Sequence, residues 1–155
     1  MTLADGDRTH MIEIVKFEGE DSLFEKRLDD LLDDHAEANG TPFDPQVVGF
    51  AARDAGGTVV GGLYGWAQLG WFFVKLLSLA PEARKTGTGG RLLADAEVHA
   101  RGEGLVGVYL DTYEFQAPGF YEKMGYREFG RLPAVDGHPQ RIWYAKIFDG
   151  TGKER

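Results

Sequence analysis

The 155-residue chain has no cysteine. That absence excludes disulfides, thiolate metal sites and a cysteine nucleophile. Histidine is scarce: the four stand at 10, 35, 99 and 138, without metal-ligand spacing, so no metal is expected. Long apolar runs are missing too. The longest, near Trp71 to Leu79, is interrupted by Lys75 and is too short to cross a bilayer. The first ten residues are polar and acidic and lack the apolar segment of a signal peptide. A soluble cytoplasmic protein with no membrane association is the expectation. Positive charge is in deficit, with 17 Lys and Arg against 25 Asp and Glu and a formal net charge of −8. Such a surface repels phosphodiester backbones and attracts cations, which argues against a nucleic-acid partner and for an amine-bearing one.

What is present suits a packed core: 43% hydrophobic residues, with ten Phe, six Tyr and three Trp. Length and the absence of a linker suggest one domain over 1–155, with 1–9 as a loose arm. Met11 to Phe17 is short and β-rich and predicts a first strand. Asp21-Ser22 caps a predicted helix that runs to about Asn39, carrying Leu23, Leu28, Leu31 and Leu32 on one face and an acidic stripe on the other. Val47–Ala52 and Thr58–Tyr64 flank Asp54-Ala55-Gly56-Gly57, a hairpin pattern. Trp71–Leu79 is apolar almost throughout and predicts a central strand buried on both faces. Helical spacing follows from Thr88 to Arg101, with Glu97 and Arg101 as an i,i+4 pair. Leu105–Thr112 alternates as a strand, a short helix fits Ala117–Met124, and Tyr126–Leu132 and Gln140–Phe148 predict two closing strands. The order β-α-β-β-β-α-β-α-β-β predicts a mixed α/β fold. Its strand-helix-strand unit at 71–112 gives one parallel pair by a right-handed crossover, and hairpins flank it.

The chemistry concentrates in Pro81 to Leu93, PEARKTGTGGRLL, which joins a strand to a helix. Its glycines permit a tight turn with outward N–H groups, the helix N-terminus adds partial positive charge, and Arg84 and Lys85 add cations. This is a pyrophosphate cradle. A Walker loop needs Gly-Lys-Ser/Thr where Gly89-Gly90-Arg91 stands, and a dinucleotide fingerprint needs Gly where Leu92 stands. A coenzyme A loop of the form Arg/Gln-x-x-Gly-x-Gly/Ala is matched by Arg84, Gly87 and Gly89. After the next strand comes Gln116 to Tyr126, QAPGFYEKMGY.

The two segments together resemble the GCN5-related N-acetyltransferase (GNAT) superfamily. In the second, Ala117, Phe120, Tyr121, Lys123 and Gly125 match the signature Ala-x-x-Phe-Tyr-x-Lys-x-Gly-Phe, with Tyr126 as the aromatic substitute. The resemblance covers roughly residues 10–148. It implies a mostly antiparallel central sheet of about seven strands with helices on both faces, and transfer of an acetyl group from acetyl-CoA to a primary amine in a ternary complex. It further implies that the strands at 71–79 and 105–112 splay apart around the pantetheine arm. Leu77, Ser78 and Leu79 then pair with that arm, and a backbone N–H near Leu77 serves as the oxyanion donor. Arg84, Lys85, Thr86, Gly87, Thr88, Gly89 and Gly90 hold the pyrophosphate, with Phe120 and Lys123 beside it. Tyr121 protonates the leaving thiolate. Many relatives carry Asn seven residues before that Tyr; here the position is Glu114, which removes that contact and offers a carboxylate instead.

An alkylamine with a pKa near 10.4 is only about 0.1% neutral at pH 7.4, so a base is needed. Glu114 ranks first, with Asp111 as the second carboxylate on the acceptor side. Tyr64, Trp66 and Trp71 flank a connection that can line an acceptor pocket, and His138 sits in a turn between the last strands. The acceptor is expected to be a small-molecule or peptide amine, cationic in keeping with the net charge. Relatives commonly form homodimers, and Trp143 would suit such an interface. The competing functions are a non-catalytic coenzyme A-binding regulatory or structural module and a nucleotide switch, the latter opposed by the missing Walker lysine.

Overall fold

Asp21 stands just before the first helix, and its carboxylate accepts the Phe24 N–H at 2.9 Å. That bond satisfies one of the amides a helix leaves unpaired at its start, and α1 runs Ser22–Ala38 from it. Asn39 ends the helix, and Gly40 follows at φ +72°. The computed structural model describes residues 12–150. Within them the chain divides into two compact units, which split after Pro42. In the first unit, the Phe17 and Phe24 rings meet edge to face at 5.0 Å. The expected first strand is absent: Ile12–Phe17 adopts no strand. Its Met11, like the expected arm at 1–9, lies outside the described residues. β-Propensity needs a ladder partner, and the described residues of the first unit contain no strand to supply one.

The second unit is built on β1 (Gln46–Arg53), β2 (Val59–Gln68), β3 (Trp71–Leu79), α2 (Thr88–Gly102), β4 (Gly107–Tyr113), α3 (Pro118–Lys123), β5 (Arg127–Arg131) and β6 (Arg141–Ile147). The six strands form one sheet in the order β1-β2-β3-β4-β6-β5. Every neighbouring pair is antiparallel except β3–β4. The architecture is the mixed, mostly antiparallel one expected, with six strands rather than seven.

Local chemistry explains most of these elements. Asp54 closes the β1–β2 hairpin by accepting the Gly56 and Thr58 N–H groups, each at 2.9 Å. The β2–β3 connection is tighter than expected. Leu69 and Gly70 both take positive φ, +48° and +87°, the conformation of a two-residue hairpin turn. Tyr64, Trp66 and Trp71, expected to flank a loop, therefore sit in the β2–β3 ladder itself. A leucine in the left-handed region is no turn signal, which is why the sequence hid this hairpin.

β3 is central, but it is not buried on both faces as its composition suggested. Phe72 and Val74 are fully enclosed, whereas Lys75, Leu76 and Ser78 are exposed. Its register shows why. Gly65 of β2 opposes Val74 and Tyr64 opposes Leu76, so Lys75 is an extra residue, a β-bulge. A Cβ on Gly65 would collide with the Phe73 carbonyl, so only glycine fits beside this kink. Pairing of β3 with β4 runs from Trp71↔Gly107 to Val74↔Leu110 and stops there. Beyond the bulge β3 remains paired to β2 only, and β4 to β6 only.

One face of the sheet, with Phe72, Val74, Val108, Leu110, Ile142 and Tyr144, packs against Leu92, Leu93, Ala96 and Ala100 of α2 and Tyr121 of α3. Glu97, paired with Arg101 in the sequence pattern, is itself buried and accepts a hydrogen bond from the equally buried Lys146 Nζ at 2.6 Å. This bond ties α2 to β6 through the core. Arg101 lies over the Phe148 ring, 4.3 Å from its centroid.

Candidate active site

Where β3 and β4 part, the chain leaves β3, makes a short turn at Pro81–Ala83 and enters α2. The loop is clipped by Thr86, whose hydroxyl donates to the Ala83 carbonyl and lies 2.7 Å from the Thr88 hydroxyl. Lys85 (φ +60°) and Gly87 (φ +79°) both take left-handed conformations, which turn successive N–H groups toward one side. Gly87 is the N-cap of α2, so no side chain caps the helix, and its first turn carries no acidic residue. The first helical amide with a backbone partner here is Arg91, which bonds Gly87 O at 3.1 Å. The amides before it and the positive end of the helix dipole stand ready for an anion.

These groups line a cleft of about 710 Å³. Its walls are Leu77, Ser78 and Leu79 from β3; Arg84, Lys85, Gly87, Thr88, Gly89 and Gly90 from the loop and α2; and Gln116, Ala117, Phe120 and Tyr121 from the far side. Nearly the whole set expected to hold the coenzyme thus comes together. Two members do not line it. Thr86 clips the loop from behind. Lys123 is exposed in the last turn of α3, where a cation complements the helix dipole. Sequence reasoning left Gln116 unassigned, although it opens the second motif. An acyl-CoA fits this donor set: an anion-seeking helix end with two cations at one end, and an unpaired strand edge at the other. A Cβ at Gly89 would make ordinary van der Waals contact with Phe120 and Leu79, at 3.5 and 3.6 Å, where those side chains converge on the cleft.

Tyr121 also lines the cleft. The residue is 8% exposed, and its ring packs against Phe120, Tyr126 and Tyr144 with centroids 5.1–6.1 Å away. Burial first, and then the negative charge of Asp111, push its pKa up to about 12. The phenol is therefore a proton donor at all working pH values. The neighbouring Tyr144 hydroxyl donates to Glu122 at 3.1 Å; burial and that bond raise its pKa as well.

The two candidate carboxylates have different surroundings. Glu114 accepts the Gln140 N–H at 3.1 Å, pinning the loop after β4 to the start of β6, and does not line the cleft. Asp111, mostly buried on β4, is held by Arg141, with Nη2 at 2.7 Å and Nε at 2.9 Å. Tyr64 lies in a shallow groove that includes Ser78 and Leu79 and so adjoins the cleft. Trp71 lies elsewhere, in an aromatic depression with Trp66, Phe73, Tyr109 and Phe129 that shares no residue with the cleft. His138 is exposed in the β5–β6 connection, where it forms an isolated bridge with Val135.

Comparison with known proteins agrees with this geometry. Residues 44–128 match the model of the acetyltransferase (GNAT) domain. The acetyltransferase Atu2258 of Agrobacterium fabrum is 32% identical over 128 residues, covering 83% of this chain and 93% of that protein. The blasticidin-S acetyltransferase of Streptomyces morookaense is 46% identical over 78 residues, 50% of this chain; the match spans only 57% of that enzyme's length. A crystal structure from Agrobacterium tumefaciens, of a protein assigned as an acetyltransferase, superposes with a TM-score of 0.81 at 31% identity, covering 88% of this chain and all of that one. The chain belongs to the GNAT acetyltransferase family and is an acyltransferase.

Proposed function

We propose that this enzyme transfers an acetyl group from acetyl-CoA to a primary amine of a small molecule, with both substrates bound at once. The observation that carries the reading is the cleft itself, where an uncapped helix N-terminus, an unpaired β3 edge and a buried phenol line one space. Acetyl-CoA supplies an activated acyl carbon and a thiol leaving group. The amides opening α2, with Arg84 and Lys85, hold the pyrophosphate. The free edge of β3 at Leu77–Leu79 offers backbone groups to the pantetheine arm. The Leu77 N–H is the proposed oxyanion donor.

Tyr121 keeps its proton and presents it to the sulfur as the C–S bond breaks. At a pKa of about 12 against about 8.5 for a thiol, full transfer is uphill by about 5 kcal/mol. Its contribution is thus a hydrogen bond to the developing thiolate, and the proton that the departing thiol finally carries is the one released by the attacking amine, relayed through water. Neither carboxylate lines the cleft, and each has a partner, Arg141 on Asp111 and the Gln140 N–H on Glu114, so the amine proton is proposed to leave through water to one of them, Asp111 being the one whose charge is felt at Tyr121. The name of the blasticidin-S relative supports a small-molecule acceptor, and the net charge of −8 supports a cationic one.

The test is thiol release from acetyl-CoA across a panel of cationic small-molecule amines, with acetyl-CoA affinity measured in parallel. Tyr121→Phe is expected to lower kcat by about 10²- to 10³-fold while leaving that affinity within about twofold. Binding without acetylation of any amine would support the non-catalytic module instead. Absence of acetyl-CoA binding by the wild type would overturn the proposal.

A further inference from the structure

The sheet face turned away from α2 and α3 carries its own set of side chains, placed there by strand alternation. On β4, Tyr109 and Asp111 alternate with the buried Val108 and Leu110; on β3, Trp71 and Phe73 alternate with Phe72 and Val74. The register aligns one row across four strands: Trp66 beside Phe73, Phe73 beside Tyr109, and Tyr109 beside Ala145. The rings pack, with centroids 5.1 Å apart for Trp66 and Phe73 and 4.9 Å apart for Phe73 and Tyr109. The row ends at a methyl group. Ala145 leaves a hollow beside Tyr109, with Phe129 of β5 as a further wall, in a depression of about 650 Å³. That volume suits a ligand with one or two rings.

One step along β4 stands Asp111, the first residue past Val74↔Leu110, where the β3–β4 pairing stops. It therefore marks the mouth of the gap on this face, about 7 Å along the strand from Tyr109. Arg141 grips its carboxylate on one side only: Nε and Nη2 both donate to Oδ1. Oδ2 has no partner among the described residues, although the side chain is only 19% exposed. A carboxylate oxygen so placed favours a cationic donor. The charge of Asp111 reaches both spaces. After burial, it is the second cause raising the pKa of Tyr109 in the depression and of Tyr121 in the cleft. The same face already receives cations from within the chain, with Lys75 Nζ 5.8 Å from the Trp66 ring centroid and the Arg141 guanidinium 5.2 Å from that of Trp143.

We propose that the acceptor is a ring-bearing amine: a flat ring fills the hollow beside Tyr109, and its ammonium arm runs along β4 to Asp111 Oδ2 at the mouth of the gap. This deepens the acetyl-transfer reading, on which it rests, by naming the acceptor's chemical class. Phenylbutylamine and n-butylamine test it, since both carry one ammonium on the same arm and only one has a ring. Ala145→Leu fills the hollow from its floor and removes no ring or charge. Asp111→Asn keeps the shape and an oxygen for Arg141 but removes the charge. Trp66 and Trp71 line the depression, so tryptophan fluorescence reports ring binding without turnover. Melting temperatures establish that each variant is folded.

The expected wild-type result is a fluorescence change that saturates with phenylbutylamine and not with n-butylamine, and a kcat/KM at least about tenfold higher for the ring-bearing amine. Ala145→Leu is expected to abolish that preference while leaving n-butylamine kcat/KM and acetyl-CoA Kd within about twofold. Asp111→Asn is expected to raise KM about tenfold for both amines, with acetyl-CoA Kd unchanged. No saturation in the wild type, or a ring preference that survives in folded Ala145→Leu, would overturn the proposal. So would Asp111→Asn lowering kcat alone with KM unchanged, the signature of a proton relay without ammonium binding. Saturable ring binding that Ala145→Leu abolishes, with acetyl transfer to neither amine, removes the acetyl-transfer reading and the acceptor role with it, and leaves the ring site standing.

Discussion

The two long helices begin in opposite ways. At the start of α1, Asp21 accepts the Phe24 N–H and Glu25 lies in the first turn, so the exposed amides and the dipole are both answered from within the chain. At the start of α2 a glycine occupies the cap position, no side chain caps the helix and no acidic residue lies in the first turn. Arg84 and Lys85 add positive charge where α1 has negative. A helix closed in this manner gains local stability, about 1 kcal/mol for the cap. One left open forgoes that stability and keeps its N–H groups for a ligand. On the proposed function the same backbone feature serves folding in one unit and binding in the other, and the cap residue decides which.

Gly89→Glu tests this contrast most severely, because it gives α2 the acidic first turn that α1 has. Glutamate favours the helix over glycine and complements the dipole, while its carboxylate occupies the anion site. Acetyl-CoA affinity measured by calorimetry is expected to fall by at least about a hundredfold, with the melting temperature of the free protein unchanged or raised. A variant that loses binding by unfolding would break the comparison.

Asp21→Ala makes the opposite change by uncapping α1. The expected cost is about 1 kcal/mol in a denaturant titration. No gain in acetyl-CoA or phosphate binding is expected, since Glu25 still places negative charge in the first turn of α1. Acquired anion affinity would show that an open helix end suffices by itself.

The smallest effect concerns pH. Tyr121 has its pKa raised from 10 to about 12, so the folded state holds that proton more tightly than the unfolded one. Its contribution is complete below pH 10 and is lost as pH rises toward 12. Melting temperatures are expected to show no Tyr121-linked slope between pH 6 and about 9, and Tyr121→Phe should flatten the loss above pH 10. A Tyr121-dependent slope near neutrality would mean the phenol titrates in the working range.

Much of this site was legible in the sequence because it follows from backbone chemistry. Glycines at 87 and 89 beside Arg84 have a local meaning wherever they occur, and they lie where a strand edge meets a helix start. The less legible parts depended on long-range register. Leu69 at positive φ carried no turn signal, so the β2–β3 hairpin was hidden and Tyr64 and Trp71 were assigned to one pocket; the ladder puts them in separate depressions. Glu114 looked available as a base because nothing in its neighbourhood names Gln140, 26 residues away, as its partner. Gln116 was passed over because its hydrogen bonds, accepted from the Tyr113 N–H and the Thr112 hydroxyl, need the turn geometry to be seen. Ile12–Phe17 shows the converse: favourable residues without a neighbouring strand do not make one.

The bulge at Lys75 leaves the sheet as two half-sheets joined by a short seam between Trp71–Val74 and Gly107–Leu110. On the proposed function, the coenzyme arm lies between them as a removable strand. A ligand that binds only the folded chain adds about 2.7 kcal/mol of stability at a hundred times its dissociation constant. The enzyme is then hardest to unfold, and slowest to be degraded by proteases, when the cell's acyl-donor pool is full.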